Sequence, residues 1–261
     1  MRRLTVVAAC GAATLLVTQA PRAHAQFHWQ GRLATGKRLE IKDVNGDIRA
    51  SAASGDQVEV TAIKHAQRSD TASVEIRVVP SEDGVTICAV YPPLRHEGPN
   101  DCTPGRSNHS HTENNDVVVD FTVHVPAGVV LSAHTVNGAV VAEGLGGNVE
   151  AVTVNGSVHL STTGYAEART VNGSITAALG RADWPDAMEF ETVNGSVTLT
   201  LPPALSTEVR AETVNGDIES DFPLMVSGKF GPRHLTGTIG NGGRRLELRT
   251  VNGGIRLKKS T

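Results

Sequence analysis

The chain has 261 residues, of which 39% are hydrophobic, 20% are charged and only 3% are aromatic, and its formal net charge is −3 at pH 7. Residues 1–25 contain three arginines and no acidic residue, so the remainder carries a charge of −6. This mildly acidic balance argues against a nucleic-acid binder or a protein drawn to anionic membranes. The scarcity of aromatic residues favours a narrow core of small and branched side chains.

Residues 1–25 predict a cleaved secretory signal peptide. Arg2 and Arg3 precede an apolar run from Leu4 to Val17, and Ala23-His24-Ala25 has the Ala-x-Ala form of a cleavage site. A membrane anchor is the alternative, but the run is shorter than the roughly 20 residues that span a bilayer. No second long apolar run follows. We therefore expect a periplasmic or extracellular protein with no transmembrane segment in its mature chain.

Cys88 and Cys102 remain after cleavage, 14 positions apart. In an oxidising compartment such a pair predicts a disulfide. Metal binding is the alternative, because His96, His109 and His111 lie nearby. Their spacing matches no zinc pattern, so we predict neither a metal site nor a cofactor.

Two regions precede the densest part of the sequence. Residues 26–91 contain alternating, β-branched runs at Val58–Ile63, Val74–Val79 and Val85–Tyr91, which predict strands that begin or cap the array that follows. Residues 92–116 are rich in Pro, Gly, Asn and Ser and predict a long polar surface loop. Such a loop is either functional or a tolerated insertion.

Residues 117–261 carry a repeated Thr-Val-Asn-Gly motif, and a shorter form occurs at Val44-Asn45-Gly46. Successive motif asparagines are 18, 17, 22 and 21 residues apart, and the last gap of 37 predicts a degenerate copy within Met225–Gly243. The predicted turn residues are Asn45, Gly46, Asn137, Gly138, Asn155, Gly156, Asn172, Gly173, Asn194, Gly195, Asn215, Gly216, Asn252 and Gly253.

Asn-Gly supports two all-β architectures. Between alternating apolar runs it is a strong signal for a type I′ hairpin, which predicts an antiparallel meander or sandwich. The near-constant spacing instead favours a single-chain parallel β-solenoid with coils of about 17–22 residues, in which identical residues stack from coil to coil. Stacked asparagines would then form a hydrogen-bonded ladder, and Gly would supply the positive φ of the corner. We expect a monomer, with one end covered by the N-terminal strands and the other protected by Lys258 and Lys259.

The motif valines form a possible contact stripe. If the alternation shifts at Gly, Thr and Asn point inward and the valines face outward, where they would offer an interaction surface. If the shift falls before Val, the valines are buried and Asn lies outside. The stripe consists of Val136, Val154, Val171, Val193, Val214 and Val251.

The motifs resemble a known family. The run from Asp116 to Gly128, the repeated Thr-Val-Asn-Gly-Ser-Val, and Gly240-Asn241-Gly242-Gly243 leading into Leu246–Leu257 are similar to the bacterial putative-adhesin domain family of unknown function. The resemblance covers roughly Leu39 to Leu257. It implies a right-handed β-solenoid, export and a cell-envelope role, and it carries over no catalytic residues.

Two functions follow as hypotheses. The first is a non-catalytic binding, adhesin-like or scaffolding module of the bacterial envelope, with an envelope protein or a glycan as partner. The second is a polysaccharide-acting lyase or hydrolase, with Asp217, Glu219 and Asp221 on one outward strand face and Arg210 and Glu212 close in sequence. The acidic residues are more simply explained as a solvated strand. A lone Trp184 in a longer gap could stack on a sugar or cap a loop.

Overall fold

The computed structural model describes residues 25–96, 98–105, 112–181, 184, 187–231 and 233–260. Residues 1–24 of the predicted signal peptide, as well as His109 and His111, lie outside this part of the chain. Export and cleavage therefore stay predictions.

The described residues form an all-β structure with one short 3₁₀ helix at Thr71–Ser73. The strands are β1 (Ala25–Arg32), β2 (Arg38–Lys42), β3 (Ile48–Ala52), β4 (Gln57–His65), β5 (Glu75–Ser81), β6 (Gly84–Val90), β7 (Val118–Val125), β8 (Val130–His134), β9 (Val140–Leu145), β10 (Val149–Val152), β11 (Val158–Thr162), β12 (Ala166–Arg169), β13 (Ile175–Leu179), β14 (Met188–Glu191), β15 (Val197–Leu201), β16 (Thr207–Asn215), β17 (Ile218–Ser220), β18 (Met225–Gly231), β19 (His234–Ile239), β20 (Arg245–Asn252) and β21 (Ile255–Lys259).

These strands make two sheets. Sheet A has ten strands in the order β1-β4-β7-β3-β9-β11-β13-β15-β21-β17, and sheet B has eleven in the order β18-β19-β16-β20-β14-β12-β10-β8-β2-β6-β5. Each motif joins a strand of sheet B to a strand of sheet A. We call this pair of strands with its corner a rung, and we name it by its asparagine.

Neighbouring rungs pair in parallel. In sheet A, Val158 of the Asn155 rung is the register partner of Ile175 in the next rung, and in sheet B, Ala151 is the partner of Ala168. The antiparallel meander predicted as the alternative is therefore wrong for the repeats. Antiparallel pairing occurs at the ends instead, where β1, β4 and β7 are joined in sheet A and β5 and β6 in sheet B.

The core lies between the two sheets and is filled by the inward side of each rung. The residue two positions before the motif Thr is buried in sheet B, as at Ala133, Ala151 and Ala168. The residue two positions after Gly is buried in sheet A, as at Val140 and Ile175. Small side chains on one sheet thus face branched ones on the other, which suits the narrow core expected from the composition.

The rungs do not follow one another in chain order at the C-terminal end. β20 and β21 of the Asn252 rung lie between the Asn194 rung and the Asn215 rung in both sheets. The prediction of a degenerate rung within Met225–Gly243 is wrong. That segment forms β18 and β19, which pair antiparallel and extend sheet B beyond β16.

The predicted protection by Lys258 and Lys259 is also wrong in its location. Both residues belong to β21, which is an interior strand, and the end strand of sheet A is the three-residue β17. A very short end strand presents few unpaired backbone groups, which is itself a means of limiting edge-to-edge association.

A disulfide joins Cys88 and Cys102, as the sequence predicts. It fixes the polar loop to β6 on the outer side of sheet B. Asn100 is buried beside it, and its Nδ2 donates to the carbonyl oxygen of Tyr91 over 3.0 Å.

Candidate binding surface at the repeat corners

An asparagine ladder runs along the corners. Each motif asparagine except Asn45 donates from Nδ2 to Oδ1 of the asparagine in the neighbouring rung, over 2.7 to 2.8 Å. The order in space is Asn45, Asn137, Asn155, Asn172, Asn194, Asn252 and Asn215. The asparagines after Asn45 are exposed, so the ladder forms an outer edge of the molecule.

The motif threonines point the other way. Each is buried, and its hydroxyl donates to the carbonyl oxygen of a glycine in the adjacent rung over 2.7 to 3.1 Å. Thr153, for example, donates to Gly138 over 2.8 Å. A buried carbonyl without a partner would be costly. Threonine satisfies it while its methyl group packs inside the corner.

The motif glycines are required mainly because there is no room for a side chain. A Cβ on Gly156 would lie 1.8 Å from the carbonyl oxygen of Gly138, and the same clash, at 1.8 to 2.1 Å, recurs at all seven motif glycines. Of the seven motif glycines, only Gly46 and Gly253, with φ of 141° and 157°, are in the left-handed region. The sequence-based expectation that positive φ explains Gly therefore holds at two corners, and close backbone stacking explains the rest.

The residue after Gly supplies an acceptor to the next rung. Oδ1 of Asp47 accepts from the amide nitrogen of Ala139 over 2.8 Å. Oγ of Ser174 accepts from the amide nitrogen of Ser196 over 3.1 Å, and Oγ of Ser196 accepts from Gly254 over 3.3 Å. This role explains why small hydroxyl or acidic residues recur at this position.

The motif valines are largely at the surface. Val154, Val171 and Val251 are 37–38% exposed, and Val214 in the end rung is 54% exposed. Val136 and Val193 are half-buried. In space the valines follow one another rung by rung beside the asparagine ladder. Neither of the predicted alternatives is right as stated, because Thr alone points inward while both Val and Asn face outward.

The outer face of sheet A next to this edge carries no Lys, Arg, Asp or Glu on the three neighbouring strands β11, β13 and β15, and we call it the neutral face. His159, Thr176 and Thr198 are register partners on neighbouring strands, and Ser161, Ala178 and Thr200 form a second such row. Adjacent strands are about 4.8 Å apart, so these side chains repeat at that interval. The neutral stretch ends at Arg256 and Lys258 in β21.

The outer face of sheet B is charged and internally paired. Glu150 and Glu167 are register partners, as are Glu189 and Glu247. Arg38 pairs with Glu150 at 2.7 Å and Arg169 with Glu189 at 2.5 Å. The two sheets therefore present different chemistry to solvent, and the edge formed by the motif valines and asparagines, the corner edge, lies between them.

Comparison with known proteins identifies the family. A family model described as Toastrack DUF4097 matches residues 109–258. The chain belongs to this family. The matched segment contains the corners from Asn137 to Asn252, so the Toastrack match covers most of the ladder and leaves the Asn45 rung outside.

Two solved structures of bacterial proteins are similar to the chain. A putative cell adhesion protein from Clostridium sporogenes is 11% identical with a TM-score of 0.48, covering 90% of this chain and 100% of its own. A putative adhesin from Bacteroides fragilis is 11% identical with a TM-score of 0.39, covering 90% of this chain and 97% of its own. No curated protein matches the chain significantly.

The acidic residues considered for catalysis in this Toastrack protein are separated by the fold. Asp217, Glu219 and Asp221 are exposed on or beside β17 of sheet A, as predicted, and Glu219 pairs with Arg256 through Nε at 2.7 Å. Arg210 and Glu212 pair with each other at 2.9 Å on β16 of sheet B. The two groups therefore do not form one site.

Two other sequence hypotheses concerned sugar stacking and metal binding. Trp184 is 4% exposed and donates from Nε1 to the carbonyl oxygen of Arg245 over 3.3 Å. Its side chain is part of the hydrophobic core, so it offers no platform for a sugar. Among the described residues, no group of three or more His, Cys, Asp or Glu side chains could hold a metal ion. No helix in the described part of the chain is long and apolar enough to cross a membrane.

Sequence reasoning missed a buried polar group at the first corner. Asp43 takes the place of the motif Thr and is fully buried. Burial raises the pKa of Asp43 well above its usual value, against the lowering effect of the hydrogen bond from the backbone of Val44. The Tyr91 hydroxyl lies close by and donates to the carbonyl oxygen of Val117 over 3.0 Å. The signal was available, since the Asn45 motif alone carries Asp where the others carry Thr.

Proposed function

We propose that the chain is a non-catalytic, exported binding module of the bacterial cell envelope, built as a right-handed β-solenoid and acting as a monomer. Its contact surface is the corner edge, meaning the motif valines and the asparagine ladder, together with the neutral outer face of sheet A. The similarity to proteins named as adhesins agrees with such a role only in general terms. The observation that carries the proposal is the row of part-exposed valines along the ladder.

An extended ligand suits this surface. Each rung places one valine and one asparagine side by side at the edge. The same Val-Asn pair recurs in the next rung, about 4.8 Å away. A linear glycan or an extended partner strand can therefore repeat the same contact on several rungs. Contacts that are individually weak become effective when several are made by one continuous ligand.

The polysaccharide-acting alternative is not favoured by the geometry. The carboxylates on and beside β17 are exposed, and Glu219 is paired with Arg256. A catalytic carboxylate pair instead needs two different environments that separate the two pKa values. The residues on β17 are better explained as the solvated outer face of an end strand.

The test is a binding experiment with the purified chain. We expect retention of an envelope component in a pull-down from envelope fractions, or binding to an extended glycan on a glycan array. Negative results in both would contradict the proposal. Turnover of a polysaccharide, measured as release of new reducing ends, would support the enzyme instead.

A further inference from the structure

A cleft lies away from the corner edge, near the residues that begin β2 and β8. It has a volume of 810 Å³ and opens on the outer face of sheet B, where the polar loop overhangs β2 and β6. Pro104 and Gly105 of the loop form one wall, and Lys37, Arg38 and Glu150 line the opposite side. The volume is within the roughly 300–1,000 Å³ of small-molecule sites.

The loop wall is fixed in place by several bonds. The Cys88–Cys102 disulfide ties it to β6. Lys42 donates from Nζ to the carbonyl oxygen of Thr103 over 2.7 Å, and the amide nitrogen of Gly105 donates to Oε2 of Glu40 over 3.1 Å. A wall held in this way loses little freedom when a ligand binds, which favours affinity.

The floor is polar, buried and already satisfied. Glu40 and Thr86 line the floor, and Glu40 forms an ion pair at 3.2 Å with Lys42, which does not itself line the cleft. Glu40 and Lys42 are 4% and 3% exposed. Thr86 donates from Oγ1 to Glu40 over 2.7 Å. Burying two charges is expensive even when they are paired. Lys42 and Glu40 bond to Thr103 and Gly105 of the loop, so this ion pair fixes the position of the loop that forms the cleft wall.

The rim determines the ligand class. Lys37 and Arg38 are balanced by Asp83 and Glu150, so the rim favours neither a polyanion nor a polycation. These groups offer both donors and acceptors, as sugar hydroxyls require. Half-buried Val130 adds apolar surface for the C–H face of a ring. We propose that this cleft binds one neutral sugar unit of a glycan, independently of the corner edge.

Saturation-transfer NMR on the purified full chain tests this site, with free neutral hexoses, N-acetylhexosamines and hexuronic acids as probes. Val130→Trp fills the cleft. Val152→Trp is the matched control, because Val152 is also a half-buried valine on an adjacent strand of sheet B but does not line the cleft. Thermal melting of each variant verifies that it folds.

We expect saturation transfer to a neutral hexose or N-acetylhexosamine. The transfer signal should fall at least tenfold in Val130→Trp and change little in Val152→Trp. Reduction of the disulfide should weaken binding as well, because it releases the loop wall. If Val130→Trp fails to fold, the effect of disulfide reduction on sugar binding by the parent chain tests the proposal instead, and unchanged binding after reduction would overturn it. No transfer to any probe, transfer to hexuronic acids alone, or equal binding by both variants would overturn the proposal. None of these results depends on the corner edge, so the two proposals can fail separately.

Discussion

Asn252 donates from Nδ2 to Oδ1 of Asn194 over 2.7 Å, although 58 residues separate them in sequence. Asn215, which comes between them in the chain, donates in turn to Asn252 over 2.7 Å. The last rung in the sequence is thus the second to last in space. The Asn252 rung lies between the Asn194 rung and the Asn215 rung, and its backbone pairs with both. The C-terminal segment therefore joins the last rung in space to the rest of the array.

The position in the ladder predicts unequal effects of asparagine substitutions. Asn252→Ala removes two ladder bonds and Asn215→Ala only one. A hydrogen bond contributes about 0.5–1.5 kcal/mol net, so we expect losses of about 2 and about 1 kcal/mol in the free energy of unfolding. Urea unfolding of the two variants measures this difference. Equal losses, or a larger loss for Asn215→Ala, would show that the ladder order is wrong.

The close stacking of glycines predicts a severe effect of adding one methyl group. In Gly156→Ala the new Cβ would meet the carbonyl oxygen of Gly138 at 1.8 Å. We expect a loss of at least about 3 kcal/mol, among the large values for single substitutions. Gly55→Ala is the control, because a Cβ there meets nothing within 4 Å. Its unfolding free energy should stay within about 0.5 kcal/mol of the parent value. A mild effect of Gly156→Ala in thermal and urea unfolding would contradict the corner geometry.

The disulfide predicts sensitivity to reduction. Replacing Cys88 and Cys102 together by Ser should cost about 3 kcal/mol, because the unfolded chain regains the freedom of the intervening loop. Urea unfolding of the parent chain in reducing buffer should approach the curve of the double variant. A parent curve that is the same in oxidising and reducing buffer would mean that the bridge contributes nothing to stability.

Asp43 predicts a specific pH dependence. Because burial raises its pKa in the folded state, its contribution to stability is complete below the unfolded value of about 3.8 and is lost as the pH rises towards the folded pKa. Asp43→Asn has no such loss. The unfolding free energy of Asp43→Asn relative to the parent should therefore rise from pH 3.5 to pH 7. A constant difference, or one that moves in favour of the parent, would rule out a raised pKa.

Much of the repeat architecture could be predicted from the sequence. The near-constant spacing of Asn137, Asn155 and Asn172 indicates stacking in register, and the apolar positions on either side identify the inward faces. The disulfide followed from an even pair of cysteines in a chain whose sequence predicts export. These features depend on local sequence and on a fixed period, which is why a single sequence suffices.

Other features depend on contacts between distant segments. Nothing near Asn252 indicates that its rung inserts ahead of the Asn215 rung, because that order is set by pairing across 37 residues. The cleft under Pro104 and Gly105 likewise needs the loop, β2 and β8 to meet. The orientation of Val154 and Asn155 could not be read from alternation, because the corner is not a regular strand and both side chains face solvent.

The most direct test of the corner edge is a comparison of envelope retention by matched variants. Val154→Thr, Val171→Thr and Val251→Thr combined keep the shape of the valines but replace one methyl group of each by a hydroxyl group, and Val152→Thr is the control on sheet B. We predict that the triple variant folds and loses at least tenfold in retention on envelope fractions, while the control binds as the parent does. A folded triple variant with unchanged retention would contradict the account.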